Sequence, residues 1–66
     1  MKITLNGEKV ALDSPLNVNA LLSTQGYEGK LVAVAVNGHF VARSTYGDHI
    51  INDNDDVEIV APMQGG

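Results

Sequence analysis

The chain has no cysteine and no tryptophan, one phenylalanine, two prolines and only four basic residues. The missing thiols exclude disulfides, a zinc–thiolate site and a cysteine nucleophile. Any sulfur chemistry carried out with this chain must therefore use sulfur brought from elsewhere. The same absence fits a reducing compartment. Lys2, Lys9, Lys30 and Arg43 are scattered along the chain, so no basic stripe offers a footprint for nucleic acid. Eight acidic residues bring the net charge to −4, which steers the chain toward basic partner surfaces. The longest apolar run, Leu31 to Val36, falls far short of the roughly 20 residues a membrane-spanning helix needs. The opening Met1-Lys2-Ile3-Thr4-Leu5 has a strand pattern and no signal-peptide hydrophobic region. A cytoplasmic location with no membrane partner is the expectation.

With 66 residues there is room for one domain. A domain of this size buries only about 60% of its unfolded surface, and one small core supplies roughly 3–5 kcal/mol. Ligand pockets typically need about 300 Å³ or more, which leaves little space for a core and a deep catalytic pocket together. Size thus favours a carrier or binding module over a self-contained enzyme. Hydrophobic residues at 44% and charged residues at 18% are a foldable composition, not a disordered one.

Met1, Ile3 and Leu5 alternate with Lys2 and Thr4, the pattern of a half-buried strand. Asn6-Gly7 supplies the positive φ angles of a tight hairpin, and Glu8 to Leu12 reads as the returning strand with Val10 and Leu12 on the core face. Asp13-Ser14-Pro15 breaks it. Asn17 is the predicted N-cap of a helix whose Val18, Leu21 and Leu22 share one face. Leu16 and Leu21 are placed for a hydrophobic staple, and Gly26 for the C-terminal stop. Two to three turns cannot stand alone, so a sheet must hold this helix. Val32, Val34 and Val36 form one face of the next strand, and Ala33 and Ala35 the other. A second Asn-Gly, Asn37-Gly38, predicts a hairpin into His39 to Ala42. Arg43 to Asn52 reads as irregular, anchored by Tyr46 and Ile50-Ile51. Asp53 to Asp56 is a polar turn, and Val57 to Ala61 the last strand.

This order is α+β. It matches the ubiquitin-like β-grasp, a mixed five-stranded sheet with one main helix packed on one face and the first and last strands parallel at the centre. Residues 1–61 are expected to form the β-grasp body, and residues 62–66 a flexible tail ending in Gly65-Gly66. Pro62 cannot donate a ladder hydrogen bond and so helps to end the strand. Without Cβ atoms, Gly65 and Gly66 fit a narrow channel in a way other residues cannot. Two readings of these glycines compete: an accidental or frayed glycine-rich end, and a tail whose Gly66 carboxylate is the reactive group. A carboxylate is a poor electrophile, but joined to AMP it becomes a mixed anhydride open to attack by sulfur. Gly65, Gln64 and Met63 would thread the partner's channel.

At these residues the chain resembles the ThiS/MoaD family of sulfur carriers over essentially its whole length. "NVNALL" resembles the family's helix start, and "VAVAVNGHFVARSTY" its strand-turn-strand segment with Val41, Arg43 and Tyr46 after the turn. "INDNDDVEIV" resembles its acidic turn and last strand, and "QGG" its tail. Asn54 stands where the family usually has glycine, and asparagine is the next-best residue for a left-handed turn.

The resemblance implies a sulfur carrier of thiamine (thiazole) biosynthesis that is not itself an enzyme. Gly66 would be adenylated by a ThiF-like activating enzyme that uses ATP and Mg. A sulfur donor such as a cysteine desulfurase system would convert the adenylate to a thiocarboxylate, and a ThiG-like thiazole synthase would take the sulfur. No intrinsic cofactor or metal and no catalytic residue is implied. Three alternatives stay open: a MoaD-like molybdopterin-synthase carrier, a ubiquitin-like modifier joined to lysines through Gly66, and a binding module with an inert tail. The short Gln25 to Lys30 connection argues against the first, whose members usually carry extra helix there.

Other residues invite weaker readings. His39 and His49 sit alone, with no ligand spacing. Asp53, Asp55, Asp56 and Glu58 lack the spacing of a calcium loop and read as a solvated turn facing a basic partner. Strand alternation points Ala33, Ala35, Phe40 and Val60 away from the helix, as an apolar patch for docking partner enzymes. The competing reading is that the irregular segment covers it.

Overall fold

The computed structural model describes residues 1–61. Strand β1 (Lys2–Leu5) turns at Asn6-Gly7 into β2 (Glu8–Ala11), with Ile3 opposite Val10 and Leu5 opposite Glu8. Asn6 and Gly7 have φ of 49° and 85°, the paired positive values that a two-residue hairpin needs. A short β3 (Leu16–Asn17) leads directly into helix α1 (Val18–Thr24). Asn17 caps the helix, its Oδ1 accepting from the Ala20 N–H at 2.7 Å. At the other end Tyr27 N–H reaches the Leu22 carbonyl and Gly26 N–H the Ser23 carbonyl. That double closure is a Schellman motif, and Gly26 at φ 84° supplies its left-handed residue.

Strand β4 (Ala33–Val36) turns at Asn37-Gly38 into β5 (His39–Phe40). A 3₁₀ turn, Arg43–Thr45, follows, then β6 (Ile50–Ile51) and β7 (Asp56–Val60). The main sheet has the order β2-β1-β7-β4-β5. β7 is central, parallel to β1 and antiparallel to β4. The expected mixed sheet and the parallel first and last strands are both present. A second, two-stranded sheet pairs Leu16 with Ile51 and Asn17 with Ile50. It was not anticipated from the sequence and gives order to the segment read as irregular.

The core lies between α1 and one face of the sheet. Ile3, Val18, Leu21, Val32, Val34, Ile51 and Val57 are its most buried side chains. Val10, Leu12 and Leu16 pack against its edge. Tyr46 is also buried, with its hydroxyl donating to the Val32 carbonyl at 3.1 Å. Ile50 departs from expectation. It is 47% exposed, because in the short β6 strand only one of two successive side chains can face inward, and Ile51 takes that place. Among the described residues no helix is long and apolar enough to cross a membrane.

Candidate functional site

The site expected from the sequence has two parts, the tail and the outer sheet face. Gly66, Gly65, Gln64 and Met63 lie outside the described residues. What the structure describes is the platform from which they depart. β7 ends at Val60, opposite Ala33 at the start of β4. Just upstream, the Val32 carbonyl is held by two side chains, the Tyr46 hydroxyl and the Arg43 guanidinium, each at 3.1 Å. The strand beside the chain's exit is thus fixed by a buried phenol and a cation.

On the face turned from the helix, Ala33 pairs with Val60, and Ala35 stands between Phe40 on β5 and Glu58 on β7. Phe40 is 76% exposed and Val60 54%. The 43–52 segment therefore does not cover them. Ala33 is half-buried. Ala35 requires a correction: it is only 8% exposed. It faces outward by alternation and is not part of the core cluster, but its methyl lies in a row between two longer neighbours. The patch is thus two exposed side chains, Phe40 and Val60, flanking small residues. Leu31, two positions before Ala33, is 61% exposed and was missed, because a continuous apolar run gave no sign of where the strand would begin.

The remaining candidates fall into place structurally. His39 and His49, distant in sequence, line one open cleft of about 520 Å³ together with Phe40, Ile50 and Asp55. Among the described residues no three His, Cys, Asp or Glu side chains gather to hold a metal ion. The acidic turn is more than a solvated face. Asp53 accepts from the Lys2 N–H at 2.8 Å, and Asp55 accepts from the Asn52 N–H at 2.8 Å and from Asn37 Nδ2 at 3.0 Å. Asn54 adopts φ 71° at the tip, as expected for asparagine in a left-handed position.

A mixed sheet with parallel first and last strands and one packed helix is shared by many proteins and does not fix a function. The decisive observation is the family comparison: the ThiS family model matches residues 3–66. The chain belongs to the ThiS family. The crystal structure of the thiamine biosynthesis protein ThiS from Geobacter metallireducens superposes with a TM-score of 0.85 at 33% identity, covering all of both chains. An NMR structure of a thiamine biosynthesis protein from the same organism gives 0.83 at 33% identity, over all of this chain and 88% of that one. Among sequence relatives, thiazole synthase of Paramagnetospirillum magneticum is 39% identical over 66 residues and that of Magnetococcus marinus 36%. This ThiS-family chain spans only 20% of the length of either. It also matches the uncharacterized protein ycf40 of Porphyra purpurea at 29% identity, over 93% of that protein.

Proposed function

We propose that this chain is a sulfur carrier for thiazole assembly in thiamine synthesis and that the sulfur is held on the carboxylate of Gly66. The observation that carries the reading is the extent of the ThiS-family match, which runs through Gly65 to residue 66. Support also comes from the whole-length similarity to a thiamine biosynthesis protein.

The chemistry proceeds in two displacements. In a ThiF-like activating enzyme the Gly66 carboxylate attacks the α-phosphorus of Mg-bound ATP, and pyrophosphate leaves. The product is an acyl-adenylate, a mixed anhydride. Sulfide, released when a thiol reductant reduces the persulfide formed by a donor such as a cysteine desulfurase system, attacks the carbonyl carbon. The bond to AMP breaks, AMP departs with the electron pair, and a thiocarboxylate remains. A ThiG-like thiazole synthase then consumes the sulfur. The reading assigns no catalytic side chain and no resident cofactor to this chain. Its role is to present one carboxylate.

Presentation divides the chain into a body, 1–61, and a tail, 62–66. The six residues from Ala61 to Gly66 span about 20 Å when extended, enough to thread a channel while the body docks outside it. Phe40 and Val60, both exposed, form the docking surface beside that exit, and Ala33 keeps the surface between them low. Exposed aromatic side chains of this kind suit the centre of a partner interface.

The test is ATP–pyrophosphate exchange by the activating enzyme, measured with the intact chain and with one lacking Gly66. Exchange should depend on the chain and vanish with Gly66. No exchange with the intact chain contradicts the proposal. Because the matched thiazole synthases are much longer, the native polypeptide must also be weighed by intact mass spectrometry. The proposal requires a molecule that ends at Gly66, and a peptide bond retained beyond it would contradict a free carboxylate.

A further inference from the structure

The two hairpin asparagines share a feature that turn chemistry alone does not require. Asn6 donates its backbone N–H to the Val57 carbonyl at 2.9 Å, and its side-chain Oδ1 accepts from the Ile59 N–H at 2.8 Å. In a parallel ladder the Ile59 N–H would bond the backbone carbonyl of residue 6. Asn6 stands at φ 49° because it begins the turn, and its side-chain oxygen takes that acceptor's place. Asn37 repeats the arrangement on the opposite edge of β7. Its N–H donates to the Asp56 carbonyl at 2.7 Å, and its Oδ1 accepts from the Asp56 N–H at 2.9 Å. That is one further antiparallel rung made with a side chain.

We infer that Asn6 and Asn37 are register pins for β7, and that they fix the point at which the chain leaves the sheet toward Gly66. The backbone pairing leaves work for such pins. β1 and β7 share only the pairs Thr4–Asp56 and Leu5–Val57, whereas β4 and β7 run together from Ala33–Val60 to Val36–Val57, so the Asn6 pin has the more to add. Alternation forbids a slip of one residue, since every side chain would change face. A slip of two keeps the faces and would bring Ala61 to the place of Ile59. It would also draw about 7 Å of chain into the sheet, shortening the reach of the tail. Glycine would serve the turns equally well but has no oxygen to offer. The acceptor thus adds a second reason for asparagine, beside the positive φ that the turn position already favours. The functional half of the inference rests on the carrier reading; the structural half does not.

Asn6→Gly keeps the turn geometry and removes the acceptor, while Asn37→Gly removes both the acceptor and the Nδ2 donor to Asp55. Asn6→Asp keeps an acceptor and should behave as the parent. Asn37→Asp should not rescue, because Asn37 Nδ2 donates to Asp55, and a carboxylate there would face another carboxylate. Amide hydrogen exchange followed by NMR reads the pins directly. In the parent, the Ile59 and Asp56 amides should be protected. In the Gly variants each should exchange about tenfold faster, the effect of losing one acceptor worth about 1.4 kcal/mol. Adenylation assays of the same variants should show a severalfold rise in apparent KM for the chain at unchanged kcat, restored by Asn6→Asp. Unprotected Ile59 and Asp56 amides in the parent, or unchanged exchange in the Gly variants, would overturn the pins. Faster exchange with an unchanged KM would overturn their role in placing the tail. Failure of the parent chain itself to be adenylated would count against the carrier reading, while the exchange data would still decide the pins.

Discussion

The two faces of the central strands make an instructive contrast. On β7, Val57 and Ile59 point into the core, while Glu58 and Val60 point away from it. On β4, Val34 and Val36 are buried against the same cluster that receives α1, and Ala33 and Ala35 line the reverse side. One alternating pattern thus builds two surfaces, one covered and one open to water. The inner face is closed by a helix and supplies the stability of a small domain. Among the described residues no helix covers the outer face, which keeps Phe40 and Val60 exposed and lies beside the end of β7. Apolar side chains on the first face are there for folding. On the second, in the proposed reading, they are there for contact with partner enzymes.

Substitutions should separate the faces cleanly. Ile51→Ala removes a fully buried side chain and should cost about 2–5 kcal/mol. That is comparable to the whole stability of such a domain, so urea or thermal denaturation should find it largely unfolded. Tyr46→Phe deletes the hydroxyl that holds the Val32 carbonyl. About 0.5–1.5 kcal/mol should be lost, because the Arg43 guanidinium still donates to that carbonyl. Asn17→Ala removes the cap bond to the Ala20 N–H and should cost about 1 kcal/mol, read as a shift in denaturation midpoint. Phe40→Asp on the outer face should change stability by no more than about 0.5 kcal/mol. It should nevertheless weaken binding to the activating enzyme strongly, as titration calorimetry would report. If Phe40→Asp unfolded the chain, or left binding intact, the division of labour between the faces would be wrong.

What could be read from the sequence was what is local. The Asn-Gly turns, the Asn17 cap, the Gly26 stop and the Val32-Val34-Val36 face each depend on a few neighbouring residues, and all are in the structure. Features made by distant partners could not be read. The pairing of Leu16-Asn17 with Ile50-Ile51 joins short segments that carry no strand signature of their own. The covering of Ala35 depends on which side chains stand beside it in other strands. The asparagine side chains that extend two ladders are visible only once β7 is seated between β1 and β4. The acceptors in the acidic turn became visible in the same way. For the tail, which lies outside the described residues, the expected chemistry rests on family resemblance and the special backbone of glycine.

The central claim is that Gly66 carries sulfur, and intact mass spectrometry tests it most directly. The chain would be incubated with ATP, Mg, its activating enzyme and a sulfur donor, then weighed and fragmented. The account predicts exchange of a single oxygen for sulfur, located at the Gly66 carboxylate and absent when ATP is withheld. An unchanged mass under conditions where the enzyme is active, or a ladder of lysine-linked conjugates in place of the thiocarboxylate, would contradict it.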